Sequence, residues 1–254
     1  MLLADKVVLV VGGSSGAGRG VALAAAREGG TVAVGGRRRD RAEAVAAQAG
    51  DGATAVVGDI ADPAQARSMV ESVVAAHGRI DCLVNSAGLT SRGTLLATTP
   101  ELFDQHIAIN LRGPFFTMQA AVADMVGCGA PGTIVNIISS SELGGQPYLS
   151  PYVAAKAGLA GLTRNAAYAH RFDRIRINGL DIGWTDTEGE HAIQREFHDA
   201  DDGWVASAGQ GLPMGRLGQV DEIAEMVVFL LSDRSGVVTG SVLDWDQNIP
   251  GCHD

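Results

Sequence analysis

The passage from Val7 to about Arg27 limits the possible folds more than any other part of the chain. Five apolar residues, Val7 to Val11, run into Gly12-Gly13-Ser14-Ser15-Gly16-Ala17-Gly18, which opens an Ala-rich helix stopped by Gly29-Gly30. A short continuous apolar run reads as a strand covered on both faces. A strand that turns on glycines into a helix is the first half of a parallel βαβ unit. The glycines let backbone N–H groups approach a pyrophosphate, and the helix start adds partial positive charge. Gly12, Ser14, Ser15, Gly16, Ala17 and Gly18 are therefore candidates for holding a dinucleotide.

The same rhythm repeats along the chain. Strands are expected over 31–35, 53–57, around Leu83-Val84, and over 133–138, 174–180 and 241–245, which makes seven with the first. Helices are expected over 41–49 with Asp40 as cap, after the Asp62-Pro63 pair, over 102–125 with a bend at Gly113-Pro114, and from Ser150-Pro151 to about 171. The expected class is α/β: a Rossmann-type, doubly wound parallel sheet in one domain spanning 1–254. Residues 184–210 interrupt the rhythm, are polar, and carry His191, Phe197, His198 and Trp204. A segment like this is expected as a lid over a substrate cleft.

Composition narrows the partners. Asp plus Glu number 29 against 19 Lys plus Arg, a formal net charge of -10. Such a surface repels phosphate backbones, so nucleic acid is not expected as a partner. Nothing reaches the length of an apolar membrane span, and the first residues lack the pattern of a signal peptide. Cys82, Cys128 and Cys252 are odd in number and lack ligand spacing, so reduced thiols in a cytoplasmic protein are expected. The six histidines lack a supporting ligand set, so no metal is expected, and His77 and His106 read as helix-surface residues.

An anionic cofactor needs a local positive feature, which Arg37-Arg38-Arg39 supplies after the second strand. A carboxylate at this place bonds the ribose hydroxyls of NAD. Here Gly36 occupies it, and Arg37 can clamp a 2′-phosphate through its planar fork. NADP(H) is favoured over NAD(H).

Tyr152 and Lys156 are four apart in the helix opened by Ser150-Pro151, so both side chains share one face. An ammonium beside a phenol favours the phenolate and is expected to lower the tyrosine from its usual value of about 10. A tuned tyrosine can serve as acid and base.

With the rest of its motifs, the chain resembles the short-chain dehydrogenase/reductase family over nearly its full length. The resemblance runs through Gly12-x-x-x-Gly16-x-Gly18, Asp59, Asn85-Ser86-Ala87-Gly88, Asn110, Ser139, Tyr152-x-x-x-Lys156, Thr187 and Thr239-Gly240. It implies an NAD(P)-dependent enzyme that interconverts an alcohol and a carbonyl, with Tyr152 moving the proton. Lys156 would hold the nicotinamide ribose, Ser139 would bond the reacting oxygen, and Asn110 would anchor a proton-passing water chain. Asp59 would bond the adenine amino group, and Ile60, Asn85, Ala87 and Gly88 would line the cofactor cleft. Gly183, Thr185 and Thr187 would meet the nicotinamide end. The family's paired long helices imply a homotetramer.

Two points stay open. Ser139 lies thirteen before Tyr152, the family's usual separation, but Glu142 stands where glycine is usual, so Ser141 is the alternative. The substrate side departs from the family through Ile182-Gly183, and Val11, Ser86 and Gln247-Asn248 also replace customary residues. Glu142, Gln146, Tyr148, Trp184, His191 and Gln194, with Ser141, suggest a small hydroxylated substrate such as a sugar or polyol. A 3-ketoacyl-type reductase or a non-catalytic dinucleotide sensor is the alternative.

Overall fold

The structure, a computed structural model, describes residues 1–249; Cys252 lies outside them. Seven parallel strands form one sheet in the order β3-β2-β1-β4-β5-β6-β7. They are β1 Val7–Val11, β2 Thr31–Gly36, β3 Thr54–Val57, β4 Cys82–Asn85, β5 Gly132–Ile137, β6 Ile175–Ile182 and β7 Val242–Trp245. The helices between them are α1 Gly16–Arg27, α2 Arg39–Ala49, α3 Pro63–His77, α4 Pro100–Ile107, α5 Gly113–Cys128 and α6 Ser150–His170. After β6 come α7 Glu188–His198, α8 Trp204–Gln210 and α9 Val220–Leu231. This is the expected Rossmann-type architecture.

Strand alternation divides the interior into two cores. Val8 and Val10 pack with Ala22, Ala25, Val227 and Leu231 on the face of α1 and α9. Leu9 and Val11 pack with Met69, Val73, Met125 and Leu159 on the face of α3, α5 and α6. Period-two side chains buried on both sides leave no polar positions in β1, which explains its unbroken apolar run. Each fully buried Leu or Ile contributes about 2 kcal/mol. Because β1 lies between β2 and β4, the winding reverses at its C-terminal end, and a crevice opens there.

Several element ends differ from those expected. α2 starts two residues early, at Arg39, with Arg38 as its cap and Asp40 in the first turn beside the helix's positive end. α3 is capped as expected: Asp62 accepts from the N–H groups of Ala64 and Gln65, with Pro63 at the first position. Ser150 is the first residue of α6 rather than its cap, and Leu149 precedes it without a side-chain cap. β6 begins one residue late and runs on to Ile182, which carries Asp181 into the sheet.

The long helix expected over 102–125 is broken into three pieces. A π-helical stretch, Ala108–Arg112, separates α4 from α5, and the Gly113 N–H reaches back to the Ala108 carbonyl. Pro114 has no N–H to give the carbonyl of Asn110, so a regular α-helix cannot run through this point. The irregularity sits just ahead of the bend expected at Gly113-Pro114. It carries Asn110.

Candidate active site

A cleft of about 800 Å³ opens at the C-terminal edge of the sheet, at the crevice beside β1. One wall is the turn after β1, where two glycines are required by close approach. A Cβ on Gly12, whose φ is +84°, would stand 2.4 Å from Ala87 N, and one on Gly18 would stand 2.3 Å from Gly12 O. The turn is thereby pressed against Ser86 and Ala87, which line the cleft together with Gly88. Ser15 caps α1 without a side-chain bond, leaving N–H groups of the first turn to face the space before them. Ser14, Ser15, Gly16, Ala17 and Gly18 all line it.

Arg37, Arg38, Asp59 and Ile60 line the far end. Asp59 accepts from the Ala61 N–H at 2.9 Å, and Arg37 stands 3.9 Å from its other oxygen. This end of the cleft therefore pairs an exposed guanidinium with a carboxylate already held by backbone.

Ser139, Tyr152 and Lys156 converge at the other end. Lys156 is 4% exposed, and its Nζ donates to the carbonyl of Ile137 at 2.7 Å. Ser139 hydrogen-bonds the Tyr152 phenol and lies 3.2 Å from the Ser141 hydroxyl. Ser141 donates in turn to Gln146 Oε1 at 2.5 Å. Of the two serines, Ser139 is the one against the phenol, and Ser141 is buried and engaged elsewhere.

The expected lowering of Tyr152 is corrected by its surroundings. Burial pushes the phenol up to about 12, outweighing the Ser139 bond, with Asp181 and Glu190 adding to the rise and Arg92 opposing it. Burial brings Lys156 down to about 8. The ammonium is turned toward the Ile137 carbonyl, 5.7 Å from the tyrosine ring centre, and desolvation dominates at the phenol. At neutral pH the phenol holds its proton.

Four expected positions fall elsewhere. Asn85 is buried below the cleft: its amide donates to Asn136, its carbonyl accepts from Thr117, and Asn136 donates to Thr163. This network ties β4 and β5 to α5 and α6, and Asn136 gave no signal in the sequence beyond lying in an apolar strand. The Asn110 side chain is saturated, accepting from the Leu89 N–H and donating to the Leu89 carbonyl, each at 3.0 Å. It clamps the loop after β4 to the π-helical turn. Glu142 faces Arg164 at 3.9 Å rather than the cleft. His191 is held between Asp186 at 2.8 Å and the Trp204 indole N–H at 2.9 Å, behind the cleft wall.

His106, expected on a helix surface, is fully buried and stands edge-on to the Tyr152 ring at 6.1 Å. Its Nδ1 faces the Asn110 amide, which can only donate, so the proton sits on Nε2, facing Ser91. Burial lowers its pKa and keeps it neutral. Its place four residues before Asn110, one turn away on the same helix, was the signal available.

The segment after β6 contributes Gly183, Trp184, Thr185, Thr187, Glu190, Gln194 and His198 to the wall. Thr187 caps α7 by accepting from the Glu190 N–H, and the Thr185 hydroxyl donates to the Gly183 carbonyl. Trp184 stacks on Trp204 and donates to Glu190, which also accepts from Gln194. Across from it stand Gln146, Tyr148 and Arg92. The Arg92 guanidinium donates to His198 Nε2 and the Thr90 carbonyl. Arg92, Glu190 and His198 had no motif to mark them, because loops distant in sequence bring them together.

Among the described residues no group of three or more His, Cys, Asp or Glu could hold a metal ion. No described helix is long and apolar enough to cross a membrane. Burial pushes the Cys82 thiol up to about 11, so it is no thiolate.

Comparison with known proteins shows the family. A family profile described as Enoyl-(acyl carrier protein) reductase matches residues 11–247. The chain is 33% identical to the 3-oxoacyl-(acyl-carrier-protein) reductase FabG of Thermotoga maritima, covering 98% of this chain and 99% of the relative. It is 36% identical to an L-rhamnose 1-dehydrogenase (NAD(P)(+)) of Sphingomonas sp., covering 95% of each. A crystal structure of a short-chain type dehydrogenase/reductase from Mycobacterium marinum superposes with a TM-score of 0.89 at 30% identity, over 98% of this chain and 97% of that one. The chain belongs to the short-chain dehydrogenase/reductase family and is an NAD(P)-dependent oxidoreductase that interconverts an alcohol and a carbonyl.

Proposed function

We propose that the enzyme acts on a small hydroxylated compound, sugar- or polyol-like, and uses NADP(H) in preference to NAD(H). The observation that carries this reading is the single cleft that joins the glycine turn and Arg37 at one end to Ser139, Tyr152 and Lys156 at the other. When bound, the nicotinamide supplies or accepts the hydride. Tyr152 gives its proton to the carbonyl oxygen during reduction and takes one from the hydroxyl during oxidation. Ser139 donates to the same oxygen and stabilises the charge that builds there. Lys156, fixed by the Ile137 carbonyl, would hold the nicotinamide ribose. Asn110 fixes the loop that carries Leu89, and a water chain that passes the proton onward would start beside it.

The substrate end offers amides from Gln146 and Gln194, a cation from Arg92, a carboxylate from Glu190 and the faces of Tyr148 and Trp184. Donors and acceptors beside aromatic faces suit several hydroxyls. One relative is named for a sugar and another for an acyl-carrier ketone. Leu89, Leu149 and Leu212 also line the cleft and favour the second reading, a 3-ketoacyl-type reductase. A turnover panel of aldoses, polyols and 3-ketoacyl thioesters with both cofactors separates them: activity confined to the thioesters overturns the sugar reading.

Arg37→Ala is expected to raise the KM for NADP about tenfold and to leave that for NAD within about twofold, since one exposed charge-assisted pair is lost. An equal change for both cofactors, or a wild type that prefers NAD, overturns the cofactor preference.

Residues 184–210 act as a lid in this reading, closing on the substrate over one domain that spans the chain. Exposed Phe103, Phe115 and Val126 on α4 and α5 favour pairing of these helices between subunits of a cytoplasmic homotetramer. Light scattering should then give about four times the 26.2 kDa of one chain, and a single-chain mass excludes the tetramer.

A further inference from the structure

The proton relay as described leaves one buried group unused, Asp181. It stands near the C-terminal end of β6 and is 1% exposed. Neither carboxyl oxygen has a hydrogen-bond partner among the described residues. A buried carboxylate without a partner is expensive to keep and calls for an explanation.

Strand alternation settles which way it faces. Ile175 and Ile177 pack in the same core as Leu159 and Ala160 of α6, whereas Leu180 joins the core under α1 and α9. Asp181 is four residues beyond Ile177 and so faces α6, the helix of Tyr152 and Lys156. On the neighbouring strand Ile137, whose carbonyl receives Lys156 Nζ, is in register with Leu180. Carboxyl and ammonium thus occupy adjacent strand ends beneath one helix.

The charged groups that face Asp181 come from every neighbouring element. Asp244 is its register partner on β7, Asp246 follows that strand, Glu142 lies in the turn after β5, and Lys156 comes from α6. Burial, then Asp246, Asp244 and Glu142, push the carboxyl up to about 8, and only Lys156 opposes them. Burial brings Lys156 down to about 8, with Asp181 as the opposing charge.

We propose that Asp181 is a positioning residue whose buried carboxylate charge keeps Lys156 an ammonium when the cofactor binds. The proposal rests on the assignment of Tyr152 and Lys156 to proton transfer. The step is an ionisation coupled through space: as pH rises the Asp181 carboxyl gives its proton to solvent, and the negative charge left behind holds the proton on Lys156. Above pH 8 the coupled pair still holds one proton, whereas a solitary buried lysine would have lost its own.

The test is calorimetric titration of NADPH and NADH into wild type and Asp181→Asn at pH 7 and pH 9. Two buffers of unequal ionisation enthalpy report the protons taken up. Wild-type affinity is expected to change less than about twofold, while the variant weakens about tenfold at pH 9 and draws protons from the buffer. A wild type that itself weakens about tenfold overturns the proposal without any variant, as does an Asp181→Asn with the wild-type pH dependence.

Asp181→Leu, apolar and close in size, guards against a variant that fails to fold. Folding raises the wild-type carboxyl from 3.8 to about 8, so its stability contribution is greatest at low pH and is lost as pH rises across that window. The melting temperature of Asp181→Leu should therefore exceed that of wild type by more at pH 8 than at pH 5. An equal difference at both overturns the proposal. Lys156→Met separates the two levels. Unimpaired turnover in that variant removes the proton-transfer assignment itself. Impaired turnover, together with an Asp181→Asn indistinguishable from wild type, removes only the role of Asp181.

Discussion

Replacing Tyr152 with phenylalanine is expected to lower kcat by about 10³-fold and to leave cofactor affinity within about twofold. The change deletes one oxygen. The ring keeps its edge contact with His106, and Ser139 keeps its bond to Ser141, so the cleft retains its shape. The loss is therefore one of proton transfer rather than of fold. Stopped turnover with retained cofactor fluorescence is the signature to look for, and a variant that keeps more than about a tenth of wild-type turnover removes the phenol as the proton donor.

The pH profile carries the same information. Because burial raises the phenol to about 12, the protonated form that reduction needs is present throughout the neutral range. In the free enzyme the reduction rate should hold steady through that range and fall only as the phenol ionises. Oxidation needs the phenolate and should rise with pH over the same range. The residual activity of the phenylalanine variant should lose both trends.

Ser139→Ala is expected to cost about 10²-fold in kcat, and Ser141→Ala about tenfold or less. The separation rests on position: the Ser139 hydroxyl meets the phenol, while Ser141 is buried and spends its proton on Gln146. Removing Ser141 frees Gln146 at the substrate end, so its effect should fall on KM more than on kcat. A larger kcat loss from Ser141→Ala would reverse the two roles.

How much of the site was legible depended on the kind of signal each residue leaves. Gly12 and Gly18 were readable because a tight strand-to-helix turn excludes a Cβ, and only one residue type meets that demand. Tyr152 and Lys156 were readable because helical periodicity puts them on one face and the family's other motifs surround them. Asn85 and Asn110 were named through the family resemblance, yet they are bound to Asn136 and Leu89, partners far away in the chain. Glu142 and His191 were mistaken for cleft residues because loop polarity does not say which way a side chain points. His106 misled in the opposite direction, since a histidine among polar helix residues gives no hint that a loop will cover it.

The order of strands and helices, the two-sided burial of the sheet, the phosphate turn and the tyrosine–lysine pair follow from local rules: period, turn chemistry and spacing. Those rules act over a few residues and need no partner to be known. The contact of Ser139 rather than Ser141 with the phenol, the raised phenol, the convergence of Arg92, Glu190 and His198, and the isolation of Asp181 were decided by tertiary structure. Each depends on desolvation and on contacts between segments distant in the chain, quantities that exist only once the chain has closed around them.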